Sequence, residues 1–260
     1  MNIHLAQQWF RHQWQAKTAH GVHSPFVFQL VEDVFPYRKS EAGRQVEAIR
    51  KKLAGSEQEV RFADLGAGSL NRGGGEVKTT LGQLARRAAR QRRSGELLYR
   101  LCRHLQPQRM LEFGTNLGIS AMYQRLAVPE SQFVSLEGAK TLAEIARQNL
   151  AETGQNLDII HVDFDHWLTT DALQNMRPDY VFLDGNHQYK PTRDYVEQFL
   201  THMPKDSLLI LDDIHWSSGM SRAWAEICKD ERISVSIDLL YLGLCFVRKH
   251  QAKEHFILRM

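Results

Sequence analysis

From about residue 96 onward, short apolar runs alternate with amphipathic stretches at a regular pitch. The β-rich runs fall at 109–113, 132–136, 157–162, 179–183 and 207–211. Helix-periodic segments lie near 96–105, 118–127, 139–151, 165–175, 191–202 and 217–228. Strands alternating with helices in this way predict a parallel sheet covered on both faces. The end differs. "ISVSIDLL" and "GLCFVRK" are separated only by Tyr241 and Leu242, too few residues for a crossover helix, so they pair antiparallel as a hairpin.

Upstream, the pattern is mainly helical. Ile3, Leu5, Trp9, Phe10 and Trp14 recur at roughly helical spacing, an aromatic stripe that packs either on the chain's own core or on a second subunit of a homodimer. In "HGVHSPFVFQLVEDVF", Ser24 and Pro25 stand as N-cap and first residue of a helix that stops before Pro36. Residues 41–54 predict another helix, and 56–95 mix one short strand with glycine-rich and arginine-rich stretches. The expected organisation is a helical extension over 1–95 with a flexible segment, an α/β domain over 96–250 and a tail over 251–260.

Composition adds little. Apolar residues at 43% and charged residues at 24% are ordinary for a globular protein. Apolar stretches such as "LLIL" are far too short to span a bilayer, so no membrane association is expected. "MNIHLAQQWFRHQW" lacks a signal peptide's apolar centre, which points to the cytoplasm. Cys102, Cys228 and Cys245 have no paired spacing and read as buried, reduced thiols. The net charge is only +3, but Arg86–Arg93 holds five arginines in eight positions. That run reads either as a contact for RNA phosphates or as a solvated face.

Two stretches resemble nucleotide-binding turns: "FADLGAGSLNRGGGE" at 62–76 and "MLEFGTNLGIS" at 110–120. A ligand turn in a wound sheet runs directly into a helix and precedes a strand ending in an acid. The second stretch does both, with Glu137 twenty-three residues past Gly114. The first does neither; its Asp64 and glycines read as a mobile cover or as disorder. A dinucleotide turn needs glycine at its middle position, where this chain has Asn116. A side chain there crowds a pyrophosphate and suits a ligand without phosphate, such as S-adenosyl-L-methionine.

The turn, the sheet and the closing hairpin resemble the class I S-adenosylmethionine-dependent methyltransferases. The resemblance implies a Rossmann-like, seven-stranded doubly wound sheet ending in an antiparallel hairpin, with a helical N-terminal extension. It implies that Gly114, Thr115, Asn116 and Gly118 line the cofactor turn, with Ser120 on the methionine carboxylate and Glu112 holding the amino group. Glu137, with Gly138 beside it, would take the ribose hydroxyls through charge-assisted hydrogen bonds. Asp163 and Phe164 match the adenine-contacting position, although Asp163 also reads as an ordinary N-cap.

"DYVFLDGNHQY" and "LLILDDIHW" place Asp184 twenty-eight residues before Asp212, with Asp213 adjacent. This is similar to the divalent-metal site of catechol-type and caffeoyl-type O-methyltransferases. The resemblance implies a cofactor-side and catalytic role for Asp184, and Mg2+ (or Ca2+ or Mn2+) on Asp184, Asp212 and Asp213. Plain strand-end acids or helix caps are the alternative. Those families commonly carry lysine three positions after the first metal aspartate; here His187 stands there as the candidate base. His215 and Trp216 would line the acceptor cleft, while His161 and His166 read as local structural residues.

The N-terminal motif resembles an uncharacterised group of predicted methyltransferases carrying "HGVHSPF". There His20, His23 and Ser24 form either part of a substrate lid or a turn and cap. The expected activity is metal-assisted O-methylation of a hydroxylated small molecule. The alternatives are a tRNA or rRNA methyltransferase using Arg86–Arg93, and a non-catalytic cofactor-binding module.

Overall fold

A computed structural model describes residues 3–17, 23–63, 75–87 and 91–259. His20, the glycine-rich 64–74 segment and residues 88–90 of the arginine run lie outside the described residues. The chain divides into two compact units, residues 1–36 with 170–260, and residues 37–169.

The first unit opens with helix α1 (Ile3–Gln15) and α2 (Pro25–Asp33). Ser24 and Pro25 occupy the expected N-cap and first-turn places, although the Ser24 side chain makes no capping hydrogen bond. The aromatic stripe of α1 does not pack inward. Trp9, Phe10 and Trp14 are exposed, whereas Leu5 and His12 are buried.

The second unit begins with α3 (Glu41–Ala54), capped by the Ser40 hydroxyl on the Gly43 amide. Two strands follow where one was expected: β1 (Glu59–Ala63) pairs antiparallel with β2 (Glu76–Thr80). Pairing explains the second strand, since the β-branched "EVKTT" has β1 to lie against. Helices α4 (Leu81–Arg87) and α5 (Gln91–Leu105) complete the upstream part. Then come β3 (Arg109–Phe113), α6 (Ile119–Ala127), β4 (Gln132–Glu137), α7 (Lys140–Ala151), β5 (Asp158–His161) and the short α8 (Phe164–Leu168). Strands β3, β4 and β5 are parallel neighbours, as alternation predicts. A core of Val46, Ile49, Leu84, Ile119, Met122, Tyr123 and Leu142 joins α3, α4, α6 and α7.

The first unit resumes with α9 (Ala172–Met176), so the helix expected over 165–175 is two short pieces. After it come β6 (Tyr180–Leu183), α10 (Tyr189–His202), β7 (Ser207–Asp212), α11 (Ser218–Ile227), β8 (Val235–Asp238), β9 (Leu242–Val247) and β10 (Glu254–Ile257). β6 and β7 are parallel, and β8 and β9 form the predicted antiparallel hairpin, with β9 inserted beside β7. Residues 254–257 of the expected tail add to β8 in parallel. The first unit orders its strands β10-β8-β9-β7-β6 and the second β3-β4-β5, eight strands where seven were expected. The extra strand satisfies the hydrogen-bonding edge that β8 would otherwise present.

Candidate active site

The turn after β3 is built from three left-handed residues. Gly114, Asn116 and Gly118 have φ of 99°, 49° and 79°. Glycine adopts this conformation at no steric cost, and asparagine is the side chain that tolerates it best. The Gly114 and Thr115 amides donate to the Leu136 carbonyl at 2.9 and 3.2 Å, tying the turn to the end of β4. Gly118 starts α6, and a Cβ there would stand 3.3 Å from the Ala146 Cβ of α7. The turn thus presents backbone, and Asn116 is exposed.

Glu137 ends β4 beside that turn. Its carboxylate accepts from the Asn116 amide at 2.7 Å and from the Ala139 amide at 2.9 Å, one on each oxygen. Burial raises its pKa, and the backbone donors Ala139, Asn116 and Gly138 oppose the rise. A carboxylate has about four acceptor sites, so the group can still accept from a ligand hydroxyl. Further along, the Asp163 side chain accepts from the His166 amide at 2.9 Å and caps α8. The half-buried Phe164 ring lies 4.9 Å from that of Phe113. His161 and His166 are exposed.

Glu112 faces inward. It is fully buried and accepts from Ser120 at 2.7 Å and Gln124 at 2.9 Å on one oxygen, and from Ser135 at 2.6 Å on the other. Thr115 is buried and bonds Ser135 at 2.6 Å. Burial raises the Glu112 pKa to about 7, against the pull of its three donors. Gln124 and Ser135 were not singled out in the sequence; they lie one helical turn past Ser120 and inside a strand, with no motif to mark them.

The acids of the other unit also gather. His187 Nε2 is 3.5 Å from Asp184 Oδ1, both side chains being largely covered. Asp212 and Asp184 share a hydrogen bond; burial foremost, then the charges of Asp184 and Asp213, push Asp212 well above the carboxylate range, with His187 opposing. Asp213 takes a left-handed φ of 51° at the strand end. Among the described residues, no group of three or more His, Cys, Asp or Glu is arranged to hold a metal ion. A proton held between Asp212 and Asp184 would relieve the repulsion of these neighbouring acids. The oxygen-rich donor set nevertheless has the chemistry of a hard-cation site.

His215 lines no open cleft with its ring nitrogens. Nδ1 is 3.0 Å from Ser221 Oγ and Nε2 is 2.7 Å from Asp238 Oδ2. Trp216 and His23 are exposed.

This arrangement of turn and acids coincides with a match over residues 111–214 to the family described as a methyltransferase domain. The matched segment, residues 111–214, is similar to a methyltransferase domain. Solved structures share its fold at low identity. The O-methyltransferase from Bacillus cereus in complex with SAH is 17% identical, with a TM-score of 0.54 over 85% of this chain and 97% of that one. A putative O-methyltransferase from Klebsiella pneumoniae is 18% identical, at 0.55 over 85% and 94%. The O-methyltransferase TomG from Streptomyces achromogenes, in complex with SAM, is 19% identical, at 0.53 over 84% and 96%. The bassianolide nonribosomal cyclodepsipeptide synthetase of Beauveria bassiana is 30% identical over 108 residues, 40% of this chain, and the chain spans about 3% of that protein's length. The matched segment begins at the 110–120 turn. The 62–76 stretch falls before the matched segment. No helix among the described residues is long and apolar enough to cross a membrane.

Proposed function

We propose that the chain transfers the methyl group of S-adenosyl-L-methionine to a hydroxyl of a small molecule. The observation that carries the reading is the Glu137 carboxylate, locked by two backbone amides against a turn of left-handed residues. That geometry fits a ligand with a ribose diol and no phosphate. Glu137 would orient the ribose, Asp163 and Phe164 would flank the adenine, and Gly114 to Gly118 would take the amino-acid end. The solved O-methyltransferases that share the fold support a hydroxyl acceptor.

His187, beside Asp184 at 3.5 Å, would receive the acceptor's proton. Asp184, Asp212 and Asp213 are the residues that would hold a divalent cation, as the alternative to their shared proton. Such a cation, when bound, makes a hydroxyl more acidic. The exposed Arg87 and Arg93, the latter 5.7 Å over the Tyr37 ring, support RNA as the alternative acceptor.

Calorimetric titration with S-adenosylhomocysteine tests the reading. Binding in the micromolar range is expected, with loss of detectable heat in Glu137→Ala. Equal affinity in that variant would remove the cofactor site from this turn.

A further inference from the structure

Helix α1 buries little apolar surface. Its inner face is Leu5 and His12, while Ile3, Phe10 and Trp14 face solvent, Trp14 with 87% exposure. An amphipathic helix normally does the reverse. Polar contacts supply the docking. His4 Nε2 is 3.0 Å from Ser221 Oγ, and His12 Nε2 is 3.4 Å from the Asp238 carbonyl and 3.7 Å from its Oδ1.

Both partners belong to one buried network rooted at Asp238. Its Oδ2 accepts from His215 Nε2 at 2.7 Å and Trp224 Nε1 at 3.2 Å, and its Oδ1 accepts from the Leu240 amide at 2.8 Å. Burial alone would raise Asp238, but His215, the Leu240 amide and His12 outweigh it and keep the group below the usual range. An ionised Asp238 can only accept, so His215 donates to it from Nε2. Ser221 Oγ lies between His215 Nδ1 and His4 Nε2, 3.0 Å from each. His12 faces two acceptors and must carry its proton on Nε2. Its Nδ1 is buried without a partner among the described residues. A second proton on His12 would therefore sit on a nitrogen with nothing to accept from it.

We propose that α1 is a pH-gated latch, docked while His12 is neutral and released when His12 takes up a proton. The charged and titratable groups facing His12 are Asp238 of β8, His215 of the turn after β7, and Arg259 beyond β10. Arg259 also donates to the Gln13 carbonyl. Burial, His215 and Arg259 lower the His12 pKa, and Asp238 only partly restores it. A docked histidine held below its ordinary value adds docking stability above about pH 6.5, and that stability is lost as the pH falls through the docked value. The chain stays anchored at Lys17, whose amide donates to the Ile257 carbonyl at 2.8 Å. Release uncovers Ser221, Asp238 and His215, on the same turn as Asp212 and Asp213. The latch does not depend on the methyl-transfer reading.

Hydrogen exchange of the full chain at pH 7.5 and 5.5, corrected for intrinsic rates, tests it. Amides of α1 should lose up to about tenfold in protection at the lower pH, one proton's worth, while β3–β5 stay unchanged. His12→Gln keeps an N–H donor but cannot charge, so its α1 should stay protected at both values. Wild-type α1 protection that is indifferent to pH overturns the latch, as does an equal pH-dependent loss in His12→Gln. Histidine titration by NMR gives a second reading that needs no variant. A His12 in the full chain that titrates at or above 6.5 also overturns it.

Discussion

Glu112 offers a measurable consequence of burying an acid behind the glycine turn. Its pKa lies at about 7, displaced from 4.5 by burial. Between those values the folded chain holds a proton that the unfolded chain has released. Stability from this group is therefore full below about pH 4.5 and falls as the pH rises toward 7. The displacement, about 2.5 units at 1.36 kcal/mol each, amounts to about 3 kcal/mol. Glu112→Gln removes the titration and keeps the shape. Its amide oxygen can still accept from Ser120 and Gln124. Its amide nitrogen would donate to Ser135, whose hydroxyl can turn to donate to Thr115, 2.6 Å away. Urea unfolding of both chains at pH 5, 6, 7 and 8 isolates the effect. The variant should gain on the wild type steadily up to neutrality, by about 3 kcal/mol, and the difference should then level off. Parallel stability curves would show that Glu112 is not buried as an acid and would refute the reasoning.

Gly118→Ala should lower stability by about 1–2 kcal/mol through left-handed strain alone, with crowding against Ala146 added, seen as a lower Tm. Gly154→Ala, also left-handed but with nothing within 4 Å of its Cβ, should lose only the strain; equal Tm shifts for the two would show that the α6–α7 approach carries no weight. Titrating the chain with Mg2+, Ca2+ and Mn2+ in buffers of different ionisation enthalpy should show proton release on binding, because Asp212 must give up its proton. Asp184→Asn should weaken that binding at least tenfold, and the absence of heat at millimolar metal would end the cation reading.

Much of the strand ladder was legible because its signal is local. Each strand from β3 to β7 is a compact apolar run, and the glycine turn carries its conformation in residues two and four apart. The β8–β9 hairpin was legible for a negative reason, since two residues cannot hold a crossover helix. β10 was not, because four residues of "EHFI" acquire strand character only through β8 beside them. The helix expected over 165–175 divides at Thr169 to Asp171, where the chain passes from one unit to the other.

Around the turn, the acids were visible and their partners were not. Glu112 was expected to face the cofactor, yet its oxygens are met by Ser120, Gln124 and Ser135 from two elements. His215 was expected to face an acceptor, yet both ring nitrogens are used within the fold. Periodicity along one chain records spacing and leaves partners unspecified.

By itself, then, the sequence determined the parallel ladder, the closing hairpin and the left-handed glycine turn, because backbone conformation and apolar period are set within a few residues. Tertiary structure decided which face of α1 is covered, whether an acid shares its proton, and which residues meet at Asp238. Those outcomes depend on burial and on side chains separated by more than two hundred residues, such as His12 and Asp238. Desolvation and hydrogen-bond geometry exist only once the chain has closed on itself.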